Sequence, residues 1–196
     1  ADDFDRHLVE GLRYDIPNLL LERLLQRTFS RCLDLGCGTG LAGQALRDRV
    51  RRLEGVDVSS RMIEKAGDRG CYDALFHRDC VAHLRRQDER SFDILVAADV
   101  LIYVLSLNAL FSEAARVLMN GGLFLFSTES ATEEEAPDGI VERTSERFAH
   151  TKSFVLACAE VFAVESVEDV VVRYDGDHPI PGHVFVLRLE VPADGS

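Results

Sequence analysis

The sequence has no long apolar run and no apolar core of a signal peptide near its start. No stretch of roughly eighteen consecutive apolar residues occurs in the 196 residues, so we predict no membrane-spanning helix. The first residues, ADDFD, are acidic, whereas a signal peptide needs a basic segment followed by an apolar one. These two absences argue against a membrane partner.

Basic residues are also scarce. The chain has 22 Lys and Arg against 34 Asp and Glu, which gives a net charge of −12. Nucleic-acid binding depends on clustered Lys and Arg that neutralise phosphates. The basic run Arg47, Arg49, Arg51 and Arg52 is explained by the solvated end of a helix. We therefore expect no nucleic-acid partner.

The cysteines follow neither a disulfide nor a zinc pattern. There are five of them, an odd number, at positions 32, 37, 71, 80 and 158. Cys32 and Cys158 fall in apolar patterns, where cysteine acts as a small hydrophobic side chain. The sequence predicts no metal site, and a reducing cytoplasm is the expected location.

One stretch does predict a ligand site. Residues 32–40 (CLDLGCGTG) join an apolar run to an acid and then to alternating glycines, and residues 41–46 (LAGQAL) begin a helical pattern. This order predicts a strand, a glycine turn and a helix start, where bare backbone and free N–H groups meet a ligand. The predicted contacts are Asp34, Gly36, Cys37, Gly38 and Gly40. The alternative is a tight turn that binds nothing.

The glycine spacing distinguishes between nucleotide ligands. A dinucleotide fingerprint has the form G-x-G-x-x-G, but its third glycine would fall on Leu41 here. The pattern present is D-x-G-x-G-x-G, which closely resembles the first motif of class I S-adenosylmethionine-dependent methyltransferases. The run RVLMNGGLFLFSTE resembles the same family, so S-adenosylmethionine is the expected cofactor and NAD is disfavoured.

Asp57 provides a second signal. It ends a short apolar run about twenty residues after the first glycine, where a ribose-binding carboxylate belongs. A carboxylate accepts two hydrogen bonds from a cis-diol. The alternative role, capping the next helix, is one that Ser59 can fill.

The resemblance implies further cofactor contacts. Met62 would lie against the adenine ring, or pack in the core. Asp79 and the Cys80 backbone would meet the adenine amino group, although Asp79 could instead cap the following helix. Val58, which follows the second strand, and Ala98, near the end of the predicted fourth strand, complete the predicted set.

Strands alternate with helices along the chain, and the apolar run at 92–99 suits a fourth strand buried on both faces of a parallel sheet. Two β-rich runs, 164–174 and 183–191, predict a closing antiparallel hairpin. We predict an α/β, Rossmann-like class I methyltransferase fold with a mostly parallel seven-stranded sheet and helices on both faces.

We predict two parts of the chain. Residues 1–29 form a helical segment that precedes the first strand, and residues 30–196 form the cofactor-binding methyltransferase domain. In the resembled family such an N-terminal segment often covers the cofactor, so 1–29 is either a lid or an ordinary packing segment. The polar stretch at 130–147 is predicted to be an exposed loop that either covers a substrate or has no role in binding.

Three residues are candidates for catalysis. Methyl transfer from a sulfonium needs positioning first, and a base only when the acceptor arrives protonated. Asp99 ends the predicted fourth strand and would bind the donor or take a proton. Tyr103 would orient the acceptor or pack, and His150 would act as a base or have a structural role.

We predict methyl transfer by direct displacement to a small molecule, with S-adenosylhomocysteine as the product. A protein methyltransferase and a domain that binds the cofactor without catalysis are the alternatives. Segments near both ends also resemble bacterial predicted methyltransferases often attached to tetratricopeptide repeats, although no such repeat occurs in this sequence. The acceptor and the oligomeric state stay open.

Overall fold

The computed structural model describes residues 15–24, 27–104, 106–144 and 146–190. The expected helix near residues 4–16 lies almost entirely outside these residues, and so does most of the segment interpreted as a lid. The described part of that segment contains one helix, α1, which begins at Ile16 with a proline in its first turn. Proline suits this position because the first N–H groups of a helix have no acceptor within the helix, so the N–H that proline lacks costs no hydrogen bond.

The described residues form six helices and nine strands. The helices are α1 (Ile16–Arg23), α2 (Leu41–Leu46), α3 (Ser60–Arg69), α4 (Cys80–Leu84), α5 (Leu107–Val117) and α6 (Lys152–Cys158). The strands are β1 (Phe29–Leu35), β2 (Val50–Asp57), β3 (Ala74–His77), β4 (Phe92–Ala97), β5 (Leu118–Ser130), β6 (Ile140–Glu142), β7 (Phe148–His150), β8 (Phe162–Asp175) and β9 (His178–Leu189). Short 3₁₀ turns cover Arg47–Arg49 and Leu101–Tyr103.

The central sheet is parallel in the order β3-β2-β1-β4-β5. Strand β9 then pairs antiparallel with β5, and β8 pairs antiparallel with β9. The Rossmann-like fold with a closing antiparallel hairpin is therefore confirmed. Consecutive strands run in parallel because a helix crosses over between them.

Two short strands extend the predicted seven. Glu129 pairs with Gly182 of β9 on one edge and with Ala149 of β7 on the other, so β7 continues the β4 side of β5 beyond the end of β4. Strand β6 pairs antiparallel with β7. The stretch 130–147, which we predicted as a loop, thus contains β6. Ile140 and Val141 supply the β-branched residues that favour a strand there.

The core has one layer on each face of the sheet. On one face, Phe111 of α5 packs edge-on against Phe124 and Phe126 of β5. On the other face, Ile16 and Leu20 of α1 belong to a cluster with alternate residues of the central strands. Side chains alternate across a strand, which explains why each central strand contributes to both clusters. This packing fixes the carboxyl ends of the parallel strands, where ligands of such sheets bind.

Among the described residues, no helix combines the length and apolar character needed to cross a bilayer.

Candidate active site

A cavity of about 530 Å³ lies at the carboxyl ends of β1, β2 and β4. The turn after β1 and the loops after β2, β3 and β4 contribute most of its wall. Its lining residues are Pro17, Asp34, Gly36, Cys37, Gly38, Thr39, Leu41, Ala42, Val56, Asp57, Val58, Met62, Arg78, Asp79, Cys80, Ala98, Asp99, Val100, Tyr103 and Val104.

The turn after β1 needs glycine for two different reasons. Gly36 has φ +62°, and a Cβ there would lie 2.5 Å from Cγ2 of Val100, so both the conformation and the space exclude a side chain. Gly38 has φ +54°, but a Cβ there would meet no atom within 4 Å. Gly38 therefore gives the turn its shape and leaves open space beside its backbone.

Asp57 connects the end of β2 to this turn. Its Oδ2 accepts a hydrogen bond of 2.9 Å from the Gly38 N–H, and its Oδ1 accepts one of 2.8 Å from the Ser59 N–H. The side chain of Ser59 caps α3 by accepting from the Met62 N–H at 3.4 Å. The capping role thus falls to Ser59, and Asp57 remains on the cavity wall.

Asp34 is the most deeply buried carboxylate of the cavity wall, with 1% of its surface exposed. Its Oδ2 accepts a hydrogen bond of 2.6 Å from the Tyr72 hydroxyl, whereas its Oδ1 has no hydrogen-bond partner among the described residues. Burial raises the pKa of Asp34 to about 7; the Tyr72 hydrogen bond opposes this rise, and the charge of Asp57 adds to it. A buried acceptor without a donor is costly, so this oxygen suits a cationic or N–H group of a ligand.

The wall formed after β2 and β3 has a mixed character. Val58 and Met62 give it an apolar surface. Asp79 lines the cavity, and its Oδ1 also caps α4 by accepting from the Ala82 N–H at 2.8 Å. Burial raises the pKa of Cys80 to about 11, which keeps its thiol neutral near pH 7.

The wall formed after β4 contains Asp99 and Tyr103. Asp99 adopts φ +60°, and its N–H donates to the Ser127 Oγ at 2.9 Å. Burial raises the pKa of Asp99, while the nearby charges of Arg173 and Arg147 oppose that rise. Tyr103 is 60% exposed, and its hydroxyl oxygen accepts from the Arg147 Nε at 3.1 Å.

Charged side chains that do not line the cavity contact Asp99 and its neighbour Glu129 at this end. Arg173 of β8 is 6% exposed and donates through Nη2 to Glu129 Oε2 at 2.6 Å. Its Nη1 lies 3.8 Å from Asp99 Oδ1 and makes no hydrogen bond among the described residues. The Nε of Arg143 is 3.6 Å from Glu129 Oε1.

The structure brings together most of the residues that the sequence indicated. All the predicted cofactor contacts except Gly40 line the cavity, as do Asp99 and Tyr103. Gly40 instead precedes the first turn of α2 with φ +90°.

His150 lies outside the cavity wall and is fully buried in β7. Neither ring nitrogen has a hydrogen-bond partner among the described residues, and burial lowers the pKa of His150 to about 4. Its ring stacks on Phe154 with 6.2 Å between centroids. This environment is that of a neutral core side chain.

Sequence reasoning missed several residues of the site. Thr39 and Arg78 line the cavity, and Tyr72 and Arg173 support its carboxylates. Arg173 left no local signal, because β8 contains several other charged residues. Tyr72 reaches Asp34 across 38 positions of the chain, and no local pattern encodes that contact.

Comparisons with known proteins agree with this geometry. Residues 33–126, from β1 to β5, match a family model described as a methyltransferase domain. The strand order, together with the likeness to solved structures, shows the Rossmann-like fold of class I S-adenosylmethionine-dependent methyltransferases.

Individual relatives are also methyltransferases by name. The chain is 34% identical over 110 residues to a malonyl-[acyl-carrier protein] O-methyltransferase of Hamiltonella defensa, a match that covers 54% of this chain and 42% of that protein. A protein of the same name from Geobacter sulfurreducens is 28% identical over 91% of this chain and 73% of its own length. The chain thus spans less than half of the first relative.

A solved structure shows the likeness of the fold. An N-methyltransferase from Bradyrhizobium japonicum, in complex with S-adenosyl-L-homocysteine, has a TM-score of 0.69 and 20% identity. The alignment covers 88% of this chain and 85% of that chain.

Proposed function

We propose that the protein is an S-adenosylmethionine-dependent methyltransferase that acts on a small molecule. The observation that carries this proposal is the contact between Gly38 of the glycine turn and Asp57 at the end of the neighbouring strand. This arrangement leaves open backbone beside a carboxylate on the cavity wall. It offers both a surface for the cofactor and an acceptor for its ribose hydroxyls.

The remaining contacts follow from the chemistry of each side chain. The unpaired Oδ1 of Asp34 would accept from the ammonium group of the cofactor's amino-acid part, because it is a buried acceptor without a donor among the described residues. Val58 and Met62 would pack against the adenine ring, with Asp79 at the ring's amino group. The capping bond of Asp79 uses only Oδ1, so its second carboxylate oxygen has capacity for such a contact.

The protein's contribution to the reaction is positioning. The cofactor supplies an activated methyl group, which moves to a lone pair of the acceptor while the sulfur keeps the bonding electrons. Asp99 and Tyr103 would orient the acceptor for an in-line approach, which is the main requirement of a displacement between two held groups. A proton on the acceptor would pass to Asp99 when it is ionised or to water.

The acceptor end suits a polar small molecule. It combines Asp99 and the Tyr103 hydroxyl with the guanidinium of Arg147, which makes no ion pair within 4.0 Å in the part of the chain described. Two of the relatives reported above are by name O-methyltransferases of a malonyl group carried on a protein, which supports a small polar acceptor group over a protein side chain.

An acceptor screen tests the proposal. The protein is incubated with methyl-labelled cofactor and either a metabolite extract or a protein extract, with the Asp57→Ala variant as the inactive reference. We expect label in small molecules only, and much less with the variant. Label on protein side chains, as opposed to a small group carried on a protein, would favour a protein methyltransferase, and transfer to neither extract would favour binding without catalysis.

Direct titration tests the ribose contact. We expect S-adenosylhomocysteine to bind at least about a hundredfold more weakly to Asp57→Ala, because two hydrogen bonds to a charged group are lost. Asp68→Ala is the matched control, since Asp68 is an exposed residue of α3. Calorimetry measures both, and an unchanged affinity for Asp57→Ala would remove the ribose assignment.

A further inference from the structure

Three glycines from different parts of the site make room for the ring of Tyr72. A Cβ on Gly43 of α2 would lie 2.2 Å from Tyr72 Cζ, and one on Gly55 of β2 would lie 2.9 Å from Cε1. A Cβ on Gly40, at the start of α2, would lie 3.0 Å from Cε2. Real Cβ atoms do not approach other atoms as closely as those on Gly43 and Gly55 would, and the contact at Gly40 would be tight, so side chains at these positions would displace the Tyr72 ring.

The Tyr72 hydroxyl ends on the buried carboxylate of the cavity. It donates to Asp34 Oδ2 at 2.6 Å, a short bond of the kind that ionised acceptors make. The other oxygen, Oδ1, belongs to a residue of the cavity wall and has no partner in the described part of the chain. One oxygen is thus fixed from inside the protein, and the other is left for a ligand.

We propose that Tyr72 is a positioning residue of the cofactor site, which holds Asp34 so that Oδ1 meets the ammonium group of the bound cofactor. This inference rests on the proposed function, because it assumes that the cavity binds S-adenosylmethionine and its product. It adds a residue that does not line the cavity and that contacts the ligand only through Asp34.

The contact also controls the charge of Asp34. The titratable groups that act on Asp34 or sense its charge are Asp57 of β2, Tyr72, and the thiols of Cys32, Cys37 and Cys71. Burial raises the pKa of all three thiols, so they stay neutral near pH 7. Burial and Asp57 raise the pKa of Asp34 to about 7, and the hydrogen bond from Tyr72 lowers it. Loss of the hydroxyl therefore raises this pKa further.

The test is the pH dependence of S-adenosylhomocysteine binding, measured by calorimetry between about pH 5.5 and 8.5. The ammonium group binds the ionised carboxylate, so wild-type affinity rises with pH and levels off above about 7. In Tyr72→Phe the plateau begins at a higher pH. A tenfold change in the ionisation equilibrium makes the variant about tenfold weaker at pH 6 and within about twofold of wild type at pH 8.5.

Two further variants complete the design. Tyr174→Phe removes a hydroxyl from β8, away from the cavity wall, and should keep the wild-type profile. Asp34→Asn should bind with an affinity that no longer changes across this range of pH. It shows, even if Tyr72→Phe does not fold, whether Asp34 carries the pH dependence that the positioning role requires.

Each outcome has a distinct meaning. A Tyr72→Phe profile identical to wild type, or one weakened equally at every pH, would overturn the positioning role. A pH dependence that persists in Asp34→Asn would also overturn it. Failure of the wild-type protein to bind S-adenosylhomocysteine would instead contradict the proposed function.

Discussion

At the scale of single residues, Asp34 combines deep burial with an incomplete set of hydrogen bonds. Its pKa rises from 3.8 to about 7 in the folded protein, so between these values the folded state binds more protons than the unfolded state does. Its contribution to stability is therefore fully present below about pH 4 and is lost as the pH rises through about 7. In the absence of ligand, the ionised form stays buried with one oxygen unpaired.

Asp34→Asn removes this titration while the amide oxygen can still accept from Tyr72. Relative to wild type, we expect the ligand-free variant to gain about 2–3 kcal/mol of unfolding free energy between pH 5 and pH 8. Urea denaturation at both pH values measures the difference, and Asp68→Asn, at an exposed position, should show none. A constant offset between wild type and Asp34→Asn would show that the carboxylate does not titrate in this range.

Residue roles were predictable where the chemistry is local. The glycine turn, the acid that ends β2 and the cap at Ser59 all follow from short patterns, and the structure has each in place. Asp79 shows the limit of such reasoning, because it both caps a helix and lines the cavity. The support from Tyr72 and the burial of His150 depend on tertiary packing, which no short pattern records.

At the scale of elements, Arg173 ties the closing hairpin to the parallel sheet. It lies on β8, and its guanidinium reaches across the position of β9 to Glu129 at the end of β5. The side chains of both partners are only 7% exposed. Removal of Arg173 would leave the buried Glu129 carboxylate with only the longer contact to Arg143 at 3.6 Å, and a buried charge that loses its close partner is costly.

Arg173→Met should therefore lower the free energy of unfolding by about 3 kcal/mol or more. The double variant with Glu129→Gln should recover part of this loss, because it removes the stranded charge. Arg188→Met is the surface control, since Arg188 is 52% exposed and pairs with Glu165 at 3.3 Å; it should cost less than about 1 kcal/mol. Chemical denaturation of wild type, the two single variants and the double variant measures these free energies of unfolding. An equal decrease for Arg173→Met and Arg188→Met would contradict the stabilising role of the buried pair.

The central elements were predictable because their patterns are long. The periodic stripe of α5 gave the observed helix within one residue, and the apolar run of β4 gave a strand that ends two residues earlier than the predicted 92–99. The strands β6 and β7 have three residues each and were not predicted. Strands of this length have too few residues to show the alternation of apolar and polar side chains. They form because the edge of β5 that extends beyond β4 offers hydrogen-bonding partners to β7.

At the scale of the whole molecule, charge is distributed unevenly. The chain carries a net charge of −12, yet Arg143, Arg147 and Arg173 gather around the Asp99 end of the cavity. Total composition predicts an acidic protein, but it does not show this local cluster. The cluster forms only when β7, β8 and the loop after β4 meet.

Binding of S-adenosylhomocysteine should stabilise the entire chain, because its cavity draws residues from α1 to the turn after β4. A ligand that binds only the folded state adds about 2.7 kcal/mol at a concentration of one hundred times its Kd. For a chain of 196 residues this corresponds to a rise in Tm of about 5–10 °C. Differential scanning calorimetry measures the rise, with Asp57→Ala as the reference that should show almost none at the same concentration.

NAD should leave Tm unchanged, because the third glycine of the dinucleotide pattern is replaced by Leu41 on the cavity wall. A larger rise with NAD than with S-adenosylhomocysteine would mean that the glycine turn serves a different nucleotide.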